Sequence, residues 1–258
     1  MTRPAGEAPE CCAAPCQGPA AQTRLEDKVR SWTRWLLMAA LAVSSPAAAA
    51  SPTGQGVHYV YLIRHGDYAR DRNIDDRLGN GLDSLGHEQA RMIGARLAAL
   101  PVKIATLTSS DFTRARETAD AIALALHMTA ARDSLIHECS PNSDRADTTN
   151  VHRREAIRLC ESHLVAAWEK YFQPTPATDT HEVLVCHANV IRWMVARALG
   201  VDTKRWSAME IGNASLTVIA VLPDGATKLV MFSDVGHLQA EKQTWTGKGA
   251  GWTMGPAR

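Results

Sequence analysis

The chain has 258 residues, of which 45% are hydrophobic and 21% charged, so it carries enough apolar side chain for a packed core and is not a disordered polymer. Formal net charge is +1; five of the 28 Lys/Arg and four of the 27 Asp/Glu lie in residues 1–50, which leaves 23 of each beyond them. Such a balanced chain lacks the broad basic face that nucleic-acid binding needs, and its length suits one domain.

Residues 1–22 are rich in Gly, Ala and Pro, hold Cys11, Cys12 and Cys16, and show no helical or strand period. Arg30 and Arg34 then lead into the apolar run Trp35-Leu36-Leu37-Met38-Ala39-Ala40-Leu41-Ala42-Val43, a Ser-Ser-Pro break, and Ala47 to Ala50. A basic flank, a short apolar core and a small-residue zone are the parts of a secretory signal peptide. The run is too short for a stable membrane span, which takes about 20 residues. The pattern predicts a leader within residues 1–50, a mature chain starting near Ser51, and a periplasmic or secreted location, with the cytoplasm as alternative. Valine can be written for an internal GTG start codon, so Val29 is a candidate true start and the segment before it an extension.

From Val57 the pattern becomes regular. Val57-His58-Tyr59-Val60-Tyr61-Leu62-Ile63 is a buried strand that stops at Arg64-His65-Gly66. Asp83 or Ser84 caps a helix with Met92, Ile93, Leu97 and Leu100 at helical spacing, ended by Pro101. Ile104-Ala105-Thr106-Leu107-Thr108 is the next strand, followed by Ser109-Ser110 and a helix through Arg114 to about His127. A long polar loop is expected over 131–150, a helix over 151–172 closed by Pro174 and Pro176, and a strand over 182–186 that passes through His187 into a helix over 190–199. Strands over 215–221 and 228–232, joined by Pro223-Asp224-Gly225, finish the folded part at about residue 240. Residues 241–258 read as a loose tail. Alternating strand and helix argue for a three-layer α/β/α domain on a mostly parallel sheet.

In such sheets ligands gather beyond the carboxyl ends of the strands. Three strand ends deliver Arg64-His65, Ser110 to Arg114, and His187 to that edge. Guanidinium groups match phosphate oxygens in pairs, helix N-termini add backbone donors, and a neutral imidazole is a competent nucleophile near neutral pH. Transfer of a phosphoryl group to histidine and then to water divides one hard step into two easier ones. His137, His152, His163, His181 and His237 show no metal-ligand spacing, so neither metal nor cofactor is expected. Trp168, Trp193 and Trp206 suit core and rim packing. Of the later cysteines, Cys139, Cys160 and Cys186, three cannot all pair; one bridge is open, and small buried thiols are the favoured reading.

Four motifs in order, Leu62-Ile63-Arg64-His65-Gly66, Leu85-Gly86-His87-Glu88-Gln89-Ala90, Ser110-Asp111-Phe112-Thr113-Arg114-Ala115-Arg116-Glu117-Thr118 and Cys186-His187-Ala188-Asn189-Val190-Ile191-Arg192, resemble those of the histidine phosphatase (phosphoglycerate mutase-like) superfamily. His187-Ala188-Asn189-Val190-Ile191-Arg192 and Asp234-Val235-Gly236 look most like its mitochondrial serine/threonine protein phosphatase branch. The resemblance covers about residues 57–239. It implies a phosphatase that hydrolyses phosphomonoesters, small molecules or phosphoproteins, through phosphohistidine at His65. Arg64 and Arg114 match the phosphate clamps, His187 the second histidine on the phosphoryl oxygens, and Glu138 the proton donor to the leaving group. Asn189 adjoins the pocket without a catalytic role. Three departures stand out: Asp67 where many members have Glu, Cys139-Ser140-Pro141 after Glu138, and no counterpart of the extended substrate segments of the mutases after Gly66. The alternatives are a mutase-type phosphotransferase, disfavoured by that last absence, and a phospho-ligand binding protein, which would need neither nucleophile nor acid.

Overall fold

The computed structural model describes residues 56–69, 71, 73–75, 78–144, 151–175 and 177–245. The leader, Val29, Ser51, the early cysteines and the tail beyond residue 245 lie outside the described residues.

Among the described residues six strands form one sheet in the order β3-β2-β4-β1-β5-β6: β1 (His58–Arg64), β2 (Thr106–Ser109), β3 (Ala131–Arg132), β4 (Thr180–Cys186), β5 (Leu216–Val221) and β6 (Thr227–Asp234). The pairs β3/β2, β2/β4 and β4/β1 are parallel, while β5 runs antiparallel to both β1 and β6. The expected three-layer architecture is thus present, with β5 alone reversed. At the hairpin between β5 and β6, Gly225 takes φ +85° and donates its N–H to the Leu222 carbonyl at 2.9 Å; a side chain there would be strained.

Alternation along the strands builds two cores, because successive side chains leave a strand on opposite faces. Val60, Leu62, Leu184, Cys186, Ile219 and Val221 point to one face, where α3 (Val151–Tyr171) and α4 (Ala188–Ala198) bury Leu164, Ala167, Ile191 and Met194. Tyr61, Ile63, Val183, Val185, Leu216 and Val218 point to the other, against Ile93 and Leu97 of α1 (Ser84–Ala98) and Ala115, Ala119 and Ile122 of α2 (Thr113–Leu126). Burial on both faces explains why β1 and β4 read as continuous apolar runs.

The region expected to be a loop over 131–150 is partly ordered. Ala131–Arg132 pairs with β2, and a 3-10 turn spans Ser134–Ile136 with Ile136 fully buried. Two residues of strand carry no detectable period, so the pairing is a tertiary result. Cys139, just after the 3-10 turn, is bonded to Cys160 of α3, with Cα atoms 5.6 Å apart. This corrects the free-thiol reading for two of the three cysteines; Cys186 is free and buried, as expected. Among the described residues no helix is long and apolar enough to cross a membrane.

Candidate active site

The edge where β1, β2 and β4 end holds all five residues singled out in the sequence. Continuation of the ladder sets them side by side: the His65 N–H bonds to the Cys186 carbonyl at 3.1 Å and the Ser110 N–H to the Val185 carbonyl at 3.0 Å. Arg64, His65, Arg114 and His187 are buried, whereas the Glu138 side chain keeps 26% of its surface exposed. A carboxyl in that position stays within reach of a bound molecule.

His65 Nδ1 lies 2.8 Å from the Gly66 carbonyl. A carbonyl only accepts, so Nδ1 carries the proton and the lone pair sits on Nε2. Arg114 Nε donates to that Nε2 at 3.1 Å. Arg114 also reaches His187, with Nη2 3.3 Å from Nδ1. Arginine only donates, so His187 Nδ1 accepts there and its Nε2–H points to Ser110 Oγ, 2.8 Å away. One guanidinium therefore bridges the two imidazoles, whose ring centroids are 5.2 Å apart. It lies 4.9 Å from the centroids of both the Tyr68 and the Phe112 rings. Arg64 donates from Nη1 to the Ile211 carbonyl at 2.5 Å.

Electrostatics follow from burial. The His65 and His187 pKa values are held well below the ordinary imidazole value, first by loss of water and then by neighbouring charge, mainly Arg64 and Arg114 for His65. Both rings are neutral near pH 7. Burial lowers Arg64 to about 10, which leaves it a cation. The Glu138 carboxyl is pushed up by burial, against the pull of Arg114, Arg64, Arg192 and the Asn189 backbone N–H. Glu138 Oε2 is 4.0 Å from His187 Nδ1, and its Oε1 is buried without a hydrogen-bond partner. A neutral imidazole lone pair, two fixed cations and a carboxyl biased toward its acid form suit transfer of a phosphoryl dianion.

Several supporting residues escaped the sequence reading. The Asp67 N–H is held by Gln89 Oε1 at 2.8 Å, and the Gly66 N–H by Thr118 Oγ1 at 3.0 Å. A Cβ on Gly86 would fall 1.9 Å from the Asp67 carbonyl oxygen, so the second motif lets α1 approach the loop of His65, Gly66 and Asp67. Asn213 is fully buried and donates to the carbonyls of His65 and Gly66. Asp67 turns Oδ1 onto the Tyr68 N–H at 2.9 Å. Gln89, Gly86 and Thr118 carried a signal as members of recognised motifs, and Asp67 as a departure from one.

Comparison with known proteins agrees. A family model described as the histidine phosphatase superfamily, branch 1, matches residues 60–156 and 142–234. The mitochondrial serine/threonine-protein phosphatases Pgam5 of Caenorhabditis briggsae and PGAM5 of Xenopus tropicalis are 34% and 33% identical over 72% and 73% of this chain. The match spans 66% and 68% of those proteins, about two thirds of their length. Among solved structures, the phosphoglycerate mutase of Plasmodium falciparum is 24% identical with a TM-score of 0.50 over 71% of this chain and 95% of that one. Bacillus stearothermophilus YhfR is 18% identical with a TM-score of 0.53 over 70% and 98%. These two share the fold. The relatives' mitochondrial names overturn the expected periplasmic or secreted location, and they do not match the cytoplasmic alternative. A basic flank before a short apolar run marks a chain for targeting, but basic residues also characterise mitochondrial transit peptides, so the pattern did not single out a compartment.

Proposed function

The chain belongs to the histidine phosphatase superfamily, and on that footing we propose that it is a phosphatase that hydrolyses phosphomonoesters through phosphohistidine at His65. The observation that carries the reading is the Arg114 bridge: Nε meets the lone pair of His65 Nε2 while Nη2 meets His187 Nδ1. The same N–H groups suit the oxygens of a phosphoryl group placed between the rings.

His65 Nε2 attacks phosphorus as the ester P–O bond breaks. Arg64 and Arg114 hold the equatorial oxygens, and His187 stands beside them. Ser110 Oγ can donate or accept, so it can support the His187 tautomer that turns Nδ1–H toward the phosphoryl group. Glu138 gives its proton to the leaving oxygen. Water then attacks the phosphohistidine, Glu138 takes the water proton, and the P–N bond breaks to release inorganic phosphate. The relatives' names make phosphoserine and phosphothreonine in proteins the first substrates to try. A binding protein would need neither a neutral imidazole at His65 nor a carboxyl at Glu138 whose pKa is raised by burial.

Trapping tests the intermediate. Brief reaction with a 32P-labelled substrate and quenching in alkali should leave label on His65, lost on mild acid treatment. Its absence, with turnover intact in His65→Ala, would overturn the mechanism. The acid is tested by Glu138→Gln, which should slow alkyl phosphates by about 10²–10⁴ and spare aryl phosphates with good leaving groups. Equal small losses on both would remove Glu138 from the chemistry.

A further inference from the structure

Glu138 sits on an irregular segment, and a general acid is useful only where it is held. Upstream, Ile136 is fully buried and His137 Nε2 meets Asp111 Oδ2 at 3.0 Å. Downstream, the Cys139 carbonyl accepts a hydrogen bond from Asn189 Nδ2 at 2.9 Å. The orientation of that amide is settled by Arg192, whose Nη2 donates to Asn189 Oδ1 at 2.7 Å. Since arginine only donates, the amide oxygen faces Arg192 and the NH2 faces Cys139.

Arg192 is itself fixed. Its Nε donates to the Ala188 carbonyl at 3.2 Å and its Nη1 to the Met209 carbonyl at 2.9 Å, and its guanidinium lies over Trp206, 5.0 Å from the ring centroid. Trp206 Nε1 in turn donates to the Asn142 carbonyl at 2.9 Å. One arginine on α4 thus organises two contacts to the segment that carries Glu138, one through Asn189 and one through Trp206.

We propose that Asn189, oriented by Arg192, is a positioning residue for Glu138: by holding the Cys139 carbonyl it sets the carboxyl at the mouth of the site, without touching the phosphoryl group. The proposal rests on the reading of Glu138 as the general acid. Two features favour positioning over plain structural support. The bond is made to the residue directly after the acid, and Asn189 stands two residues after His187, so the short segment at the start of α4 places both groups relative to each other. The disulfide to Cys160 restrains the Cys139 side chain but leaves its peptide plane to Asn189.

The test uses the full chain and a series of phosphomonoesters of graded leaving-group pKa, with kcat/KM reporting transfer to His65. Asn189→Ala removes the donor, and Asn189→Asp keeps size and the Arg192 contact while it replaces the donor by an acceptor. Both should steepen the dependence on leaving-group pKa in the manner of Glu138→Gln, with alkyl phosphates slowed by about 10- to 100-fold, part of the range for a placed acid. Added to Glu138→Gln, Asn189→Ala should cost almost nothing further, since residues that act as a unit are not additive. In Asn189→Ala the alkaline limb of the kcat/KM profile should move to lower pH as the released carboxyl regains water. An equal loss across the series, additive with Glu138→Gln, would overturn the proposal while the acid stands. A Glu138→Gln variant with no leaving-group selectivity would remove the acid, and the proposal with it. If Asn189→Ala fails to fold, the Asp variant decides the matter by the same slopes.

Discussion

Arg114 Nε approaches His65 Nε2 to 3.1 Å, so the proposed clamp and the proposed nucleophile are bonded to each other through the very atoms that would face a phosphoryl group. For attack, the Arg114 N–H must turn from the imidazole lone pair to a phosphoryl oxygen. Lysine offers a point charge without the paired donors. Arg114→Lys should therefore lower kcat/KM by about 10²–10³, the usual loss for one charge-stabilising donor. His65→Ala should leave no turnover on any ester while circular dichroism stays unchanged. A lysine variant with near-normal kinetics would show that the two-pronged geometry is not used.

The buried histidines set a pH dependence of stability. His65 and His187 have pKa values well below 6.5 in the folded chain, so below pH 6.5 the unfolded chain takes up protons that the folded one does not. Stability should fall as pH drops through that value, by about 1.4 kcal/mol per pH unit for each such histidine. His237, lowered to about 4 by burial and Arg96, acts in the same direction. His58, raised by Glu182, acts oppositely, adding stability below 6.5 that is lost as pH rises through its folded value. His181, lowered by burial, joins the first three, while Glu138, raised by burial, opposes them as His58 does. Four groups against two predict a net loss on acidification. Urea titrations at pH 7.5, 6.5 and 5.5 measure it; a midpoint that stays level to pH 5.5 would mean that both active-site rings protonate in the folded state. The same depression predicts that the acid limb of kcat/KM lies below pH 6.5.

Sequence pattern brought the candidate residues together because they sit where strands end. Arg64-His65, Ser110 to Arg114 and His187 follow runs whose apolar continuity marks a doubly covered sheet, and strand ends of such sheets converge. Of the residues that hold the loops, only those inside motifs were legible. Asn213 lies before β5 in Gly212-Asn213-Ala214-Ser215, with no period or motif to mark it, and its amide donates to carbonyls nearly 150 positions earlier. The pairing of Cys139 with Cys160 was equally hidden, since cysteine count left the choice open and a loop meets a helix only once the chain is folded. Asn189 and Arg192 were visible as letters of a motif, but not as a relay.

Asn213 offers a separate test of loop support. Its amide donates to the His65 and Gly66 carbonyls at 3.3 and 3.2 Å, its Oδ1 accepts from Thr244 Oγ1 at 3.2 Å, and the next residue, Ala214, donates its N–H to His65 O at 3.1 Å. Gly66 O is also the acceptor that fixes the His65 tautomer. Asn213→Ala strips a buried bonded group, at about 1–3 kcal/mol, and frees that carbonyl to shift. Thermal melts should show the loss of stability, and kcat/KM should fall for aryl and alkyl phosphates alike, because the nucleophile rather than the acid is disturbed. Selective loss on alkyl esters would contradict this assignment.

The disulfide gives the opposite selectivity. Cys139 and Cys160 are 21 positions apart and tie the residue after Glu138 to α3. Cross-linking a loop of this length removes unfolded-state entropy worth about 3 kcal/mol, so Cys160→Ser should unfold at lower urea than the parent. The chemical consequence is narrower. With Cys139 released on its side-chain flank, the acid segment keeps its Asn189 and Trp206 bonds but loses its covalent restraint. Alkyl phosphates should therefore slow by a few-fold, while aryl phosphates with good leaving groups keep their rates. Dithiothreitol should reproduce this pattern in the parent and change nothing in Cys160→Ser. Cys186 is buried against the core, and burial raises its thiol pKa, so it does not compete as the reactive thiol. Equal inhibition of both ester classes by dithiothreitol would mean that the bridge supports the fold as a whole and not the placement of Glu138.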